Sequence, residues 1–147
     1  MKYLFYTALM FLFVNLSAQN TKNNYYCEYC GKKASSIQSL TSGYCHKHPA
    51  GANKGRHKLY EGSEKSQYLC EYCGKKASSI QSLTSGYCHK HPAGANNGRH
   101  KVYAGNEKSQ YLCKYCGRKA SSIHSLTSGY CHKHPTGANK GFHSPAL

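Results

Sequence analysis

Hydrophobic residues are concentrated in one part of this chain. Residues 3–14 form an almost continuous apolar run, whereas from residue 20 onwards apolar side chains stand singly or in pairs between polar ones. Such sparse spacing predicts short elements rather than long helices or strands. The first of them is a short β-hairpin over residues 25–34, YYCEYCGKKA, which turns at its two cysteines.

A two-turn helix is predicted next, over the stretch SSIQSLTSG. Ile37 and Leu40 lie three positions apart, so they share one face of this helix. Ser35 and Gln38 have the spacing of a capping box, and Gly43 can end the helix in a left-handed conformation.

The N-terminal run has the pattern of a secretory signal. Lys2 provides the basic start, residues 3–14 provide the apolar part, and small residues surround Ala18. A run of about 12 residues is too short to span a bilayer, which takes about 20. We therefore predict a signal peptide over residues 1–19, a tail over residues 20–24, and a secreted, periplasmic or cell-surface protein after cleavage. An uncleaved N-terminal anchor is the alternative.

The rest of the chain is a threefold repeat with a period of 43 residues. The first two copies differ at only five positions, and the third ends four residues after His143. The third copy lacks most of the segment that follows the last histidine in the other two copies, so we interpret that segment as a linker between modules. Its Gly, Ser, Glu and Lys residues predict a solvated connection. The predicted modules are residues 25–57, 68–100 and 111–147, and the predicted linkers are residues 58–67 and 101–110.

A module of about 33 residues is too small for an apolar core alone, so disulfides or a metal are expected to hold it together. Each module has three cysteines, which leaves one unpaired if disulfides form. Three thiolates and one imidazole satisfy tetrahedral zinc, so we predict three Zn²⁺ sites. A redox Cys-x2-Cys pair, or a disulfide with a leftover thiol, is the alternative. The predicted ligands are Cys27, Cys30, Cys45 and His48; Cys70, Cys73, Cys88 and His91; and Cys113, Cys116, Cys131 and His134.

Two histidines compete for the fourth ligand position of the first module. His48 follows Cys45 at a compact Cys-x2-His spacing and precedes Pro49, and we predict it as the ligand. His57 follows the loop PAGANKG, whose glycines would let the chain fold back. The alternative fourth ligands are therefore His57, His100 and His143. His46 is expected to point to solvent.

With these ligands the chain resembles a tandem array of two-cysteine two-histidine zinc fingers. The likeness lies in the Cys-x2-Cys-Gly-Lys run, in Ala34 and Leu40 at the two core positions, and in the segment EGSEKSQYLC. That segment is similar to the family's Thr-Gly-Glu-Lys-Pro-Tyr linker. The resemblance implies a small metal-stabilised α+β fold of three tandem zinc-finger-like modules, each with a short hairpin and a short helix and little core without metal.

Several residues depart from that family. Ala34 replaces its core Phe, Gly43 stands where it has its first His, and the third ligand is Cys45, after a gap of 14 residues rather than about 12. The second half of each module should therefore differ, with a shorter helix or with two turns gripping the metal as in a zinc ribbon. The helix positions that read bases in the family correspond to serines, which discriminate weakly among bases. These serines are Ser36, Ser39 and Ser42.

Charge narrows the choice of partner. The chain has 20 Lys and Arg residues against five acidic residues, a formal net charge of +15. Loss of the signal and binding of zinc by thiolates would leave about +11. This balance favours an anionic polymer, either an acidic glycan or nucleic acid, and leaves another protein open. No membrane span is expected after cleavage, and nothing in the sequence implies an oligomer.

Catalysis is not expected. The third copy has no Asp or Glu to act as a general acid or base, and a site closed by four protein ligands has no open position for substrate. The leading hypothesis is an exported zinc-binding tandem-repeat protein that acts as a multivalent binding module through flexible linkers. The alternatives are a non-specific nucleic-acid-binding zinc-finger protein and a metal-sequestering protein.

Overall fold

The computed structural model describes residues 24–147. The predicted signal peptide lies outside the described residues. Within them, no helix has the length and apolar character needed to cross a membrane.

Each of the three modules consists of a two-stranded antiparallel sheet followed by a short helix. This confirms the expected small α+β fold. The first module contains β1 (Tyr25–Tyr26), β2 (Lys33–Ala34) and α1 (Ile37–Thr41); the second contains β3 (Tyr68–Leu69), β4 (Lys76–Ala77) and α2 (Ile80–Leu83); the third contains β5 (Tyr111–Leu112), β6 (Lys119–Ala120) and α3 (Ile123–Leu126).

The hairpin of each module turns at the Cys-x2-Cys-Gly run. In the first module Tyr25 pairs with Ala34, and the amide of Cys27 donates to the carbonyl of Lys32 at 2.9 Å. Gly31 has φ of +73°, a conformation that favours glycine. Its amide donates back to the carbonyl of Cys27 at 2.8 Å. The turn therefore holds the first two thiols of the module on one side of the hairpin.

The helix begins one residue later than the sequence predicts. Its N-cap is Ser36 rather than Ser35, because Ser36 is extended with φ of −149° and its hydroxyl accepts from the amide of Ser39 at 3.0 Å. The glycine expected to end the helix, Gly43, is not left-handed. The C-cap is Ser42, in the right-handed region with φ of −68°.

The residues that follow each module pair with its hairpin instead of leaving it. In the first copy Leu59 forms a bridge with Cys27, and the amide of Tyr60 donates to the carbonyl of Tyr26 at 2.7 Å. Tyr60 and its counterpart Tyr103 are only 6% and 1% exposed. The start of each predicted solvated linker is thus a packed edge of the sheet, because its apolar pair outweighs the polar residues after it.

Successive modules stack on one another through the same positions. Ile80 and Ile123 are each 2% exposed, whereas the equivalent Ile37 of the first module is 45% exposed. Ile80 belongs to a buried cluster that contains Tyr60 from the preceding copy, and Tyr60 packs edge-on against Tyr68 with ring centroids 5.9 Å apart. The flexible connection expected between modules is therefore replaced by a packed junction.

Two hydrogen bonds repeat this stacking along the chain. The Tyr60 hydroxyl donates to the carbonyl of Tyr103 at 3.5 Å, and the Tyr103 hydroxyl donates to the carbonyl of Ala146 at 2.6 Å. Each bond joins one residue to the residue 43 positions later. The structural repeat therefore has the same period as the sequence repeat, and this hydrogen bond occurs in both pairs of successive copies.

The equivalent isoleucines provide a test of junction packing. We expect Ile80→Ala to lower the free energy of unfolding by about 2–4 kcal/mol, because it leaves a cavity in a buried cluster. Ile37→Ala should cost less than about 1 kcal/mol, because that side chain is already half exposed. Chemical denaturation of the two metal-loaded variants measures the difference. Equal losses would show that the junction does not bury Ile80.

Candidate metal centre

Four potential metal ligands meet in the interior of the first module. The Sγ atoms of Cys27 and Cys45 are 3.9 Å apart, and the Sγ atom of Cys30 is 3.4 Å from Nδ1 of His57. All four ligand atoms lie within 4.8 Å of one another. The three cysteines are at most 3% exposed and His57 is 5% exposed, so the cluster is closed to solvent.

The same cluster recurs in the other two modules with nearly identical dimensions. The corresponding sulfur–sulfur distances are both 3.9 Å, and the sulfur–nitrogen distances are 3.5 and 3.4 Å. The clusters are Cys27, Cys30, Cys45 and His57; Cys70, Cys73, Cys88 and His100; and Cys113, Cys116, Cys131 and His143.

These distances fit a bound ion and do not fit disulfides. All nine cysteines lie within the described residues and none is in a disulfide, and a separation of 3.9 Å is far longer than a sulfur–sulfur bond of about 2.05 Å. A tetrahedral ion with metal–sulfur bonds of about 2.3 Å would place its sulfur ligands about 3.8 Å apart. The three Cys₃His clusters are therefore compatible with metal binding in both donor type and spacing.

Two turns, rather than a turn and a helix, bring the ligands together. The first is the hairpin turn that carries Cys27 and Cys30. The second is closed by a bridge between Tyr44 and Arg56. There the amide of Cys45 donates to the carbonyl of Gly55 at 2.8 Å. The chain therefore runs away from the ligand cluster after Cys45 and returns to it at His57.

The helix supplies no ligand. Its contribution to the module is Leu40, which is fully buried beside the thiols. The Oγ atom of Ser36 caps the helix, and the hydroxyl of Ser42 donates to the carbonyl of Ser39 at 2.9 Å. Two of the three serines aligned with base-reading positions are thus engaged with the helix backbone itself.

The structure brings His57 to the thiols and does not bring His48, the ligand preferred from spacing. His48 follows Cys45 in a tight turn, in which its amide donates to the carbonyl of Cys45 at 3.2 Å. Its ring packs edge-on against Tyr29 with centroids 5.3 Å apart, and its Nδ1 accepts from the amide of Ala50 at 3.2 Å. His91 and His134 make the same ring contacts, at 5.2 and 5.1 Å.

His48 instead supports the loop that returns His57. A Cβ atom at Gly55 would lie 2.3 Å from Nε2 of His48, so the ring covers this glycine directly. His46 is exposed, as expected, and lies outside the cluster. Residue spacing favoured His48, because spacing alone does not show that Tyr44 and Arg56 pair across the loop. This pairing places His57 opposite Gly43.

Burial sets the protonation of these ligands when no ion is bound. It raises the pKa of the Cys30 thiol, and it raises the pKa of the Cys45 thiol to about 12. It lowers the pKa of His57, and the charge of nearby Lys32 lowers it further. The imidazole is therefore neutral, as a ligand must be, while the thiols have to lose protons to an arriving metal ion.

Comparison of the chain with family models, with curated proteins and with solved structures found no match. The likeness to two-cysteine two-histidine fingers thus has no family model behind it. The geometry itself defines the class of protein, which has three tandem modules, each with a Cys₃His ligand set supplied by two turns.

The two histidines of the first module can be distinguished by metal content. We expect His57→Ala to reduce the bound metal from three ions per chain to two, because it removes a ligand. His48→Ala removes the same kind of side chain from the same loop and should retain three ions. Elemental analysis after gel filtration, with both variants prepared in parallel, measures this. The reverse pattern would make His48 the ligand.

Proposed function

We propose that the protein is an exported, zinc-stabilised repeat protein that acts as a non-catalytic, multivalent binding module for an anionic partner. The observation that carries the proposal is the set of three Cys₃His clusters, in which every ligand except Cys116 is buried. Three thiolates and an imidazole are a zinc ligand set, and four protein ligands leave no open position for substrate. Each zinc ion would tie the hairpin turn to the returning loop through its four ligands.

The binding surface that best fits an anion lies at the junction of the first and second modules. A cleft of about 640 Å³ opens there between the loop that follows Cys45 in the first module and, in the second module, Tyr72 of the hairpin turn with residues 97–101 of the returning loop. Five cationic or imidazole side chains among those lining it are Lys47, His48, Lys58, Arg99 and Lys101. Tyr29, Tyr72 and Tyr87 add aromatic surface.

Two of these cations carry charge that no carboxylate neutralises within the described residues. Lys58 pairs with Glu28 at 3.0 Å, and Lys101 pairs with a second glutamate at 2.9 Å. Lys47 and Arg99, by contrast, contact only carbonyl oxygens and the Tyr87 ring. Burial lowers the pKa of Lys47, and the positive charge of Arg99 lowers it further. An anion in the cleft would relieve this repulsion.

The second junction differs at one position that matters for charge. Phe142 stands where the second module has Arg99, and the ammonium of Lys90 lies 5.8 Å from the centre of its ring. The equivalent lysine is thus placed against an aromatic ring rather than a second cation. The first junction is therefore the stronger candidate for anion binding.

Export, thiol state and metal identity can be tested in a single measurement on the native protein. We expect the mass of a chain whose first residue is 19 or 20, with nine reduced cysteines and three bound zinc ions. Removal of the zinc by a chelator should unfold the protein. Native and denaturing mass spectrometry of material from the growth medium or periplasm measure these values. A full-length, metal-free protein with oxidised thiols would contradict the export and zinc parts of the proposal together.

Anion binding should depend on salt and on Arg99. We expect affinity for heparin, a sulfated glycan, to fall steeply as salt rises. Arg99→Phe, which copies the residue of the second junction, should weaken binding and reduce the slope of log affinity against log salt by about one. Lys140→Ala removes the same charge from an exposed site in the third module and serves as control. Salt-independent binding, or equal effects of both variants, would contradict the cleft assignment.

A further inference from the structure

The two ends of the module stack expose positions that are buried at the internal junctions. On the first module, Ile37 is 45% exposed, although its two counterparts are each 2% exposed. Thr41 is half-buried, whereas the equivalent Thr84 and Thr127 are 1% and 0% exposed. We call the surface formed by Ile37, Gln38 and Thr41 the leading face.

The third module exposes the opposite half of a junction. Leu112 is 43% exposed, whereas its counterpart Leu69 is 8% exposed. Leu69 belongs to the same buried cluster as Ile123 of the following module. Leu112 is therefore at the repeat position through which the second module contacts the third. We call the surface formed by Leu112, Gly117 and Lys133 the trailing face.

A glycine marks the closest contact within each junction. A Cβ atom at Gly31 would lie 2.4 Å from the backbone nitrogen of Gln81, and one at Gly74 would lie 2.4 Å from that of His124. Nothing lies within 4 Å of the same position at Gly117. Helix backbones of following modules thus occupy two of the three equivalent glycine pockets, and within the described residues the third is open.

Polar contacts at the internal junctions have matching groups at the two ends. His124 contacts the carbonyl of Cys73 at 3.2 Å through Nδ1, and Lys90 donates to the hydroxyl of Thr127 at 3.5 Å. Lys133 occupies the lysine position of the trailing face. On the leading face, Gln38 and Thr41 occupy the positions of His124 and Thr127.

Some apolar positions of the repeat are exposed in every module, so their exposure does not depend on a neighbouring module. Tyr44, Tyr87 and Tyr130 occupy one repeat position and are 61%, 60% and 59% exposed in the first, middle and last modules. Ile37 and Leu112, by contrast, are exposed, whereas Ile80, Ile123 and Leu69 at the two junctions within the described residues are buried. Their exposure therefore reflects an unfilled junction.

We propose that the trailing face of one chain binds the leading face of a second copy, so that chains associate head to tail. Leu112 packs beside Ile37 of the next copy, and the start of its first helix enters the pocket over Gly117. Since the two faces are different, each chain has one of each, and the contact is not symmetric. Such a heterologous contact generates open filaments or closed rings rather than symmetric dimers.

The end junction is expected to be weaker than the internal ones. Ala146 stands where the earlier copies have Tyr60 and Tyr103, so an aromatic side chain that packs at both internal junctions is missing. The internal junctions also form within one chain, whereas the end junction has to form between separate chains. We therefore expect association to increase with the concentration of chains.

Two charge substitutions and their mixture test the proposal on the intact, metal-loaded chain. Ile37→Glu blocks the leading face and Leu112→Glu blocks the trailing face. Sedimentation velocity from about 10 µM to 1 mM should show growing assemblies for the unmodified chain and monomers for each variant alone. An equimolar mixture retains one face of each kind, so its mass should rise twofold to a dimer and no further.

Ser39→Glu is the matched control. It adds the same charge to the same helix at a position that is exposed in all three modules, so its assembly should match that of the unmodified chain. The proposal is overturned if the unmodified chain stays monomeric at every concentration. It is overturned in the same way if Ile37 is covered by residues 1–23 or by another protein, because the leading face would then not be free. Dimers of a single variant would also overturn it, since they require a symmetric contact. These outcomes are independent of anion binding, which heparin affinity reports separately.

Discussion

The closure of each Cys₃His cluster is the constraint on which the rest of the structure depends. A module offers only a few apolar side chains, and just one helical residue of the first module, Leu40, is fully buried. The hairpin and the returning loop meet at their ligands, at the bridge between Cys27 and Leu59, and at the ring contact between Tyr29 and His48. An ion that bridges Cys27 and Cys30 to Cys45 and His57 would therefore fix the relative position of the two halves.

Stacking supplies what a single module lacks. The first module leaves Ile37 half exposed, while the second and third bury the equivalent residue under a neighbour. Tyr60 and Tyr103 take part in this burial although they lie beyond the last metal ligand of their own copy. Each module thus borrows apolar surface from the copy before it, which is the usual basis of stability in repeat proteins.

Local patterns predicted the local elements, and contacts over longer distances limited the rest. The hairpin and helix follow from the Cys-x2-Cys-Gly turn and from the spacing of Ile37 and Leu40. Spacing favoured His48 over His57, because counting residues does not reveal that Tyr44 and Arg56 pair across the loop. Composition made residues 58–67 a linker, because Gly, Ser and Glu outnumber the one apolar pair that packs.

The uniform period of the junctions has a consequence for the length of the protein. Each junction uses the same glycine pocket, isoleucine and linker positions, 43 residues apart along the chain. Deleting or duplicating one whole unit would rejoin surfaces that already fit, without any new interface. Copy number can therefore change by recombination between the near-identical repeats while the fold persists, and the span of the molecule would change in steps of one unit.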